Sequence, residues 1–507
     1  MKVLTASEMG AVDRLTIESG IPGLVLMENA AARVVEFIAE RFVPVREQRI
    51  VVVCGKGNNG GDGLAIARQL HVRFASKFLH VVLTCSADEL SGDAATNLAM
   101  LRACGVLASA AFSVEMRTAT LVVDAVLGTG LKGAARGPAL DAIREINSRF
   151  PLAKVVAVDL PSGLSGDSGS VAGEYVRATA TVTFTAPKVC HAMPPACGLM
   201  GELRVAQIGS PASLYEDDER LLLSLVTAEQ IAPLFAPRRR DANKGSFGHV
   251  LIVAGSPGKS GAAAMAGLAA LRAGAGLVTV ACPESVRDAV AGYAPEIMTT
   301  ALPLTGAFER TLTAMGPGIG TDPETREMVL RLFAELEQPL VVDADALNCL
   351  AGTAWRGGRA MRVLTPHPGE MSRLTGVSVA EIQADRITAV RGLATARQVI
   401  VVLKGERTLI GFPDGRVWIN PTGSPAMATA GTGDILTGII SGLMAQFATG
   451  DMELALAGAV YLHGLAGEMA ARDLTEQCVI ATDLLKYLPE GIRGITNVQR
   501  EPCANEP

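Results

Sequence analysis

Paired cysteines are missing from this 507-residue chain: its nine cysteines are scattered, with no C-x-x-C pair. That spacing points to neither a zinc site nor a disulfide framework, and it makes a reducing cytoplasm the expected compartment. A basic excess is missing as well. The 45 Lys and Arg stand against 51 Asp and Glu, a formal net charge of -6, so no face is furnished for nucleic acid. The one basic run, Arg238-Arg239-Arg240, is followed at once by Asp241 and reads as a solvated loop. The N-terminal stretch MKVLTASEMGAVDR has acids and no apolar core, so no signal peptide is expected. Nor is a membrane span. Ser260 to Ala281 is long and mostly apolar, but it consists of small residues, holds Arg272 and is interrupted by Gly274 and Gly276. It reads as a helix followed by a strand.

What the chain does have is two series of short Val-rich runs alternating with helical patterns. The first passes through RIVVVCG, FLHVVLTC, TLVVDAVLG, AKVVAVDLPSG and ATVTFTAPK. The second starts at HVLIVAGS, continues through LVTVAC, TAMGPGIG, PLVVDADAL, RVLTPHPGE and VIVVLKGERTLIG, and ends in AGTGDILTGIISGLMAQF. Such alternation predicts parallel sheets covered by helices on both faces. Length alone allows about three domains, but residues 205–245 break the rhythm once, and the boundary is placed there. The fold class is therefore α/β with two domains, each long enough for its own core.

The stretch from Ile50 to Leu70 reads as strand, glycine loop and helix, with Gly55, Gly57 and Gly60 spelling G-x-G-x-x-G. A dinucleotide cofactor loop also needs an acid about 20 residues on for the ribose. The next strand-like run ends in Thr84-Cys85-Ser86, and Asp88 comes too late. Asn58, Asn59 and Asp62 crowd among the glycines and suit a cation or a polar substrate better than a bare phosphate. A cofactor loop, a structural turn and a polar-ligand loop all remain open on the spacing alone.

Ligands of open parallel sheets sit beyond the carboxyl ends of the strands. In the first half those ends carry Asn58, Asn59, Gly61 and Asp62, then Asp124 with the loop Gly128 to Ala134, then Asp159 with Ser162, and finally Lys188. Oxygens from Asn59, Asp124 and Ser162 form a set suited to a hard cation; any one of these acids alone also reads as a cap. The motifs GKGNNGGDG, DAVLGTGLKG, DLPSG and TFTAPK together resemble the nicotinamide nucleotide hydrate epimerase domain over residues 1–215, which has a Rossmann-like sheet. The resemblance implies that Asn58, Asn59, Gly60, Gly61, Asp62, Gly128, Thr129, Gly130, Leu131, Lys132, Gly133, Ala134 and Asp159 bind the damaged nucleotide. It also implies potassium on Asn59, Asp124 and Ser162. Asp159 is the candidate acid/base. Lys188 either steadies developing charge or pairs with a rim carboxylate.

In the second half GSPGKSG misses the P-loop register, because Val253 stands where glycine is required. Gly431-Thr432-Gly433-Asp434 is more informative: two glycines expose backbone N–H groups at a helix start and an acid follows, a geometry for an oxyanion beside a general base. It resembles the anion hole and base of the ribokinase-like fold. With AMGPGIG, DADAL, TPHPGE and VVLKG it resembles the ADP/ATP-dependent nicotinamide nucleotide hydrate dehydratase over residues 226–496, reached through a linker at 216–245. By that resemblance Ala262, Gly318, His367 and Asp434 meet the hydrated nucleotide. Lys404, Gly405, Glu406, Arg407, Thr408 and Gly433 meet the adenine nucleotide, with Asp434 catalytic. The two-domain form implies ADP as phosphoryl donor with Mg2+. Ser424, Ala430 and Asn243 depart from residues frequent in the family.

Taken together, the expected protein epimerises NADHX and NADPHX and dehydrates the S form, as a cytoplasmic homo-oligomer that binds neither membrane nor nucleic acid. Two rivals remain: a ribokinase-type kinase for a small alcohol, and a nucleotide-binding module without chemistry.

Overall fold

A computed structural model describes residues 1–304 and 310–498. The chain forms two compact units, one of Met1–Leu221 and one from Leu222 onward. In the first unit β1 (Arg49–Cys54), β2 (Phe78–Leu83), β3 (Ala108–Ser109), β4 (Leu121–Ala125), β5 (Lys154–Val158), β6 (Ala180–Phe184) and β7 (Glu202–Ala206) build one sheet. Its order is β3-β2-β1-β4-β5-β6-β7, and every pairing is parallel.

The Val-rich β1 shows why. Successive side chains of a strand point to opposite faces, and here both faces are buried. Ile50, Val52 and Cys54 join one core with the helices Gly23–Arg41 and Asn58–Phe74. Val51 and Val53 join another with the helix Gly137–Arg149. A strand with no solvent face has no place for a polar period. The sheet order reverses between β1 and β4, where such folds open a crevice for ligand.

The second unit holds β8 (Leu223–Leu225), β9 (His249–Val253), β10 (Leu277–Cys282), β11 (Met298–Ala301), β12 (Leu312–Met315), β13 (Leu340–Val342), β14 (Arg362–Leu364), β15 (Ile400–Leu403), β16 (Leu409–Gly411) and β17 (Val417–Ile419). The order is β11-β10-β9-β12-β13-β14-β15-β16-β17-β8. β9 to β15 run parallel, β16 turns back antiparallel, and β8 closes the edge beside β17. Residues read as linker from sequence thus supply an edge strand.

The small-residue stretch near Ala262 is a helix, Ser260–Arg272, followed by β10. Its face is used inside the chain. A side chain on Gly438 or Gly442, in the helix Thr432–Gln446, would overlap the carbonyls of Ala266 and Ala270, so two glycines one turn apart let these backbones touch. The helix Met452–Leu474 has the length and apolarity of a membrane span, yet it is mostly buried in this core.

Candidate functional site

The first rim lies over β1, β4, β5 and β6, around a cavity of about 850 Å3 lined by the loops after those strands. The glycine loop divides its labour. A side chain on Gly55 would overlap the Val126 carbonyl, and one on Gly60 would overlap the Gly55 carbonyl, whereas Gly57 faces open space. The outer glycines therefore serve strand–helix packing, and Gly57 leaves the loop backbone accessible from the cavity. Asn58, Asn59, Asp62, Gly128, Thr129, Gly130, Leu131, Lys132 and Asp159 line this cavity. Gly60 and Gly61 do not; Gly61 packs on Met27 and Ala94. Gly133 and Ala134 end the same loop, with Gly133 at φ +76°.

At the cavity floor Asp159 occupies the left-handed region, φ 67°, a strained choice for a side chain with a Cβ. Its Oδ1 accepts from Lys188 Nζ at 2.7 Å and from Thr183 Oγ1 at 2.9 Å. Lys188 Nζ also donates to Thr183 Oγ1 and to the Phe184 carbonyl, each at 3.0 Å, so all three of its protons are engaged. The two side chains are 2% and 13% exposed. Burial works to raise the Asp159 carboxyl, but the Lys188 charge and hydrogen bond outweigh it and hold the group below the usual range. Two further cavity carboxyls go the other way. Burial first, then the charges of Asp159 and Asp13, push Asp62 well above the ordinary carboxylate value. Asp13 is raised by burial against the pull of Lys188. Neither makes a hydrogen bond or ion pair with the described residues. One cavity thus holds a carboxyl drawn below its usual range beside carboxyls pushed above theirs, the division that acid/base chemistry needs.

Beside this floor the oxygens of Asn59, Asp124, Ser162 and the Leu127 carbonyl gather. Ser162 Oγ donates to Asp124 Oδ1 at 2.6 Å, Ser162 N–H to Asp124 Oδ2 at 2.8 Å, and Asn59 Nδ2 to the Leu127 carbonyl at 2.9 Å. Asn59 Oδ1 is buried without a hydrogen-bond partner. A buried amide oxygen is costly to leave unpaired, and this one stands among carboxylate, hydroxyl and carbonyl oxygens, the donor types a hard cation takes. The set fits a hard cation. Burial raises the Asp124 carboxyl to about 6 against its hydrogen bonds from Ser162 and Val126.

The second rim lies over β9, β12, β13, β14 and β15, again neighbours. Gly431, at φ 92°, caps the helix Thr432–Gln446 with no side-chain cap bond, so the first N–H groups of that helix have no partner within it. Asp434 stands in the first turn with no hydrogen-bond partner among the described residues. Burial, then the charge of Asp343, raise its carboxyl to about 6, opposed by Lys404. Lys404 Nζ bonds Asp343 Oδ1 at 2.7 Å, lies 3.8 Å from Glu370 Oε2, and stands 3.5 Å from where a Gly433 side chain would begin. Asp343 is buried and also accepts from Thr437 Oγ1 at 2.7 Å. His367 Nδ1 accepts from the Gly369 N–H at 3.0 Å, and Glu370 Oε2 accepts from the His367 N–H at 2.7 Å. Gly318 meets Ala262 and Lys259, and Lys259 pairs with Asp345 at 3.0 Å, whose charge reaches Asp434. Gly405 and Glu406 are exposed, and Arg407, at φ 52°, and Thr408 are half-buried in the loop leaving β15.

Sequence reasoning missed the residues that organise these rims. Asp13 reaches the cavity because the chain at Leu4 pairs with Lys188, and nothing in the helix Ala6–Glu18 sets it apart locally. Asp343, Glu370 and Thr437 are partners of Lys404 or of one another. The buried Arg386 binds the carbonyls of Leu403, Lys404 and Glu406, turning that loop's acceptors inward. Two of the departures noted above are caps: Asn243 Oδ1 accepts from Gly245 N–H and Ser424 Oγ from Ala426 N–H.

Comparison with known proteins follows the same division. The profile of the family described as YjeF-related protein N-terminus matches residues 23–190, and that described as NAD(P)H-hydrate dehydratase matches residues 250–490. The chain is 44% identical to the bifunctional NAD(P)H-hydrate repair enzyme of Moorella thermoacetica, with 98% of this chain and 97% of that one covered. It is 39% identical to the enzyme of the same description from Thermofilum pendens, at the same coverage. Among solved structures it is similar to the ADP/ATP-dependent NAD(P)H-hydrate dehydratase of Bacillus subtilis co-crystallised with ATP and Mg2+. There the TM-score is 0.50 and the identity 33%, over 54% of this chain and 98% of that one.

Proposed function

The chain belongs to the bifunctional NAD(P)H-hydrate repair enzymes, and on that premise we propose how its residues divide the work. The protein interconverts the R and S hydrates of NADH and NADPH and dehydrates the S form to the intact dihydronicotinamide. Residues 1–215 carry the epimerase and residues 226–496 the dehydratase, whose sheet also takes in β8 from the stretch read as a linker. The hydrated nucleotide occupies the first cavity against Asn58, Asn59, Asp62 and the loop Gly128 to Lys132, with Gly60 and Gly61 behind them in the packing and Gly133 and Ala134 ending the loop. Its C6 carries a hydroxyl next to the ring nitrogen, so inversion needs a flat carbon. Asp159 Oδ2, the oxygen not engaged by Lys188 and Thr183, takes the hydroxyl proton. A C6=O bond forms as the C6–N1 bond breaks, and the Asp62 carboxyl protonates N1. Rotation presents the other face of the carbonyl, N1 attacks, and both protons return. Asn59, Asp124 and Ser162 would hold potassium, which when bound supplies a fixed positive charge beside the loop.

In the second unit Ala262, Gly318 and His367 position the S hydrate, while Lys404 to Thr408 and Gly433 bind the adenine nucleotide. Hydroxide leaves poorly, so the hydroxyl is first made into a phosphate ester. Asp434 takes the hydroxyl proton as its oxygen attacks the donor's terminal phosphorus, and the N–H groups of Gly431 to Gly433, with Lys404, stabilise the transferring group. The ring nitrogen then expels phosphate from C6 and the departing phosphate takes a proton from C5, which restores the C5=C6 double bond. ADP is the donor and AMP the product. The Glu370 carboxylate is a donor of the right hardness to hold magnesium brought by the nucleotide, and the ion when bound would neutralise phosphate charge while Asp434 stays available as the base.

The observation that carries this reading is a carboxyl with an unengaged, proton-accepting oxygen at each rim, Asp159 through Oδ2 while Lys188 fixes Oδ1, and Asp434 at the positive end of a helix. Asp159→Ala is expected to abolish epimerisation and leave dehydration of the S hydrate intact, and Asp434→Ala the reverse. Epimerisation is read from the R-to-S ratio, dehydration from recovery of dihydronicotinamide absorbance. Loss of both activities from either change would refute separate sites. A cytoplasmic location is supported by the free thiols of the described cysteines. A homo-oligomer would need a surface other than the Ala262 to Ala275 face, which is spent on packing within the chain; light scattering tests it.

A further inference from the structure

The imidazole of His191 takes no part in the steps above, yet it binds both members of the pair that does. His191 is buried, in the short helix Val189–Ala192 that follows Lys188. Its Nδ1 lies 2.9 Å from the Lys188 backbone nitrogen, and that N–H can only donate. Nδ1 must therefore be the unprotonated nitrogen, and a neutral ring then carries its proton on Nε2. Nε2 lies 3.0 Å from the backbone carbonyl oxygen of Asp159, a group that can only accept. The tautomer is fixed from both sides. Burial, with the nearby Lys188 charge, lowers the imidazole to about 4, so the ring stays neutral over the working range.

The carbonyl that receives this hydrogen bond belongs to the residue held at φ 67°. A left-handed aspartate persists only where its surroundings over-determine it. The Asp159 N–H is held by the Val182 carbonyl at 2.8 Å, the side chain by Lys188 and Thr183, and the carbonyl by His191. We propose that His191 is a positioning residue of the epimerase, a neutral Nε2–H imidazole that clamps the backbones of Asp159 and Lys188 together and so aims the free carboxylate oxygen of Asp159 at the substrate hydroxyl. The inference rests on the assignment of Asp159 to the chemistry. The alternative is that His191 merely caps its own short helix.

The full-length chain is tested with His191→Phe, which keeps bulk and removes both bonds, and with His191→Gln, which keeps a donor toward the Asp159 carbonyl. Misplacing a reacting group by about 1 Å costs about 100-fold. His191→Phe should therefore lower epimerase kcat about 10- to 100-fold with KM within about threefold, and leave dehydration of pure S hydrate unchanged, while His191→Gln should recover most of the loss. A clamp acting through Asp159 also predicts non-additivity: on an Asp159→Asn background, itself about 10²–10⁴-fold down, adding His191→Phe should change the residual rate less than twofold. An unchanged kcat in His191→Phe, or full additivity in the double variant, overturns the clamp. So does a parallel rise in KM that His191→Gln does not repair, which marks a packing role only. If Asp159→Asn alone keeps full epimerase activity, the assignment of Asp159 fails instead, and the two failures are told apart.

Discussion

Asp434 should be a residue that costs the second unit stability while giving it activity. Its carboxyl rises from an ordinary 3.8 to about 6, through burial first and the Asp343 charge second. A gap of that size corresponds to about 3 kcal/mol of folding free energy, trimmed to about 2 kcal/mol by the group's partial exposure. Because the folded state holds the proton more tightly than the unfolded chain, this stability is fully present below about pH 4. It is lost as pH rises through about 6, where the buried group must ionise beside Asp343. Asparagine has nearly the same shape and no charge to expose. Asp434→Asn should therefore exceed the parent by about 2 kcal/mol at pH 7.5, or about 4–6 °C in the melting transition of the second unit, and by only about a third of that near pH 4.5. Calorimetry of the ligand-free full chain reads this, and the relevant transition is the one that moves on addition of ADP. The same variant should lose dehydration about 10²–10⁴-fold. A parent that melts at or above the variant at pH 7.5, or a gap equal at both pH values, would refute the reasoning.

Two other perturbations separate roles at the first rim. Gly60→Ala drives a methyl into the Gly55 carbonyl and should destabilise the first unit by about 3 kcal/mol in urea. Gly57→Ala, which meets open space, should change stability by less than about 1 kcal/mol while raising the epimerase KM about tenfold. Equal stability losses would show that the loop glycines share one role. Potassium chloride should raise the melting transition of the first unit over choline chloride at the same ionic strength, and Asn59→Ala should remove that difference. A potassium response that survives in the variant places the ion elsewhere.

Much of this protein was legible along the chain. β-branched runs with no polar period dictated strands buried on both faces, and loops of Gly, Asn and Asp at their ends marked where ligand chemistry is housed. The order of those runs fixed the parallel stretches β1 to β7 and β9 to β15, because a strand can return parallel only through a helix-sized crossover, while the antiparallel turn of β15, β16 and β17 did not show in that alternation. The acids themselves, Asp159 and Asp434, stood out by following a strand or opening a helix. What the chain order left open is which partners set their protonation. Lys188 reaches Asp159 across 29 positions, Lys404 reaches Asp343 across 61, and Thr437 reaches the same carboxylate across 94. Those meetings arise because parallel strands bring their carboxyl ends to one rim, although a crossover of many residues separates them along the chain. The tertiary structure also decided that Asp13 joins the cavity, that His191 is neutral, and that the two outer glycines of the loop serve packing. Charge interactions fall off with distance and depend on burial, and both are properties of the folded sheet, not of any local run of residues.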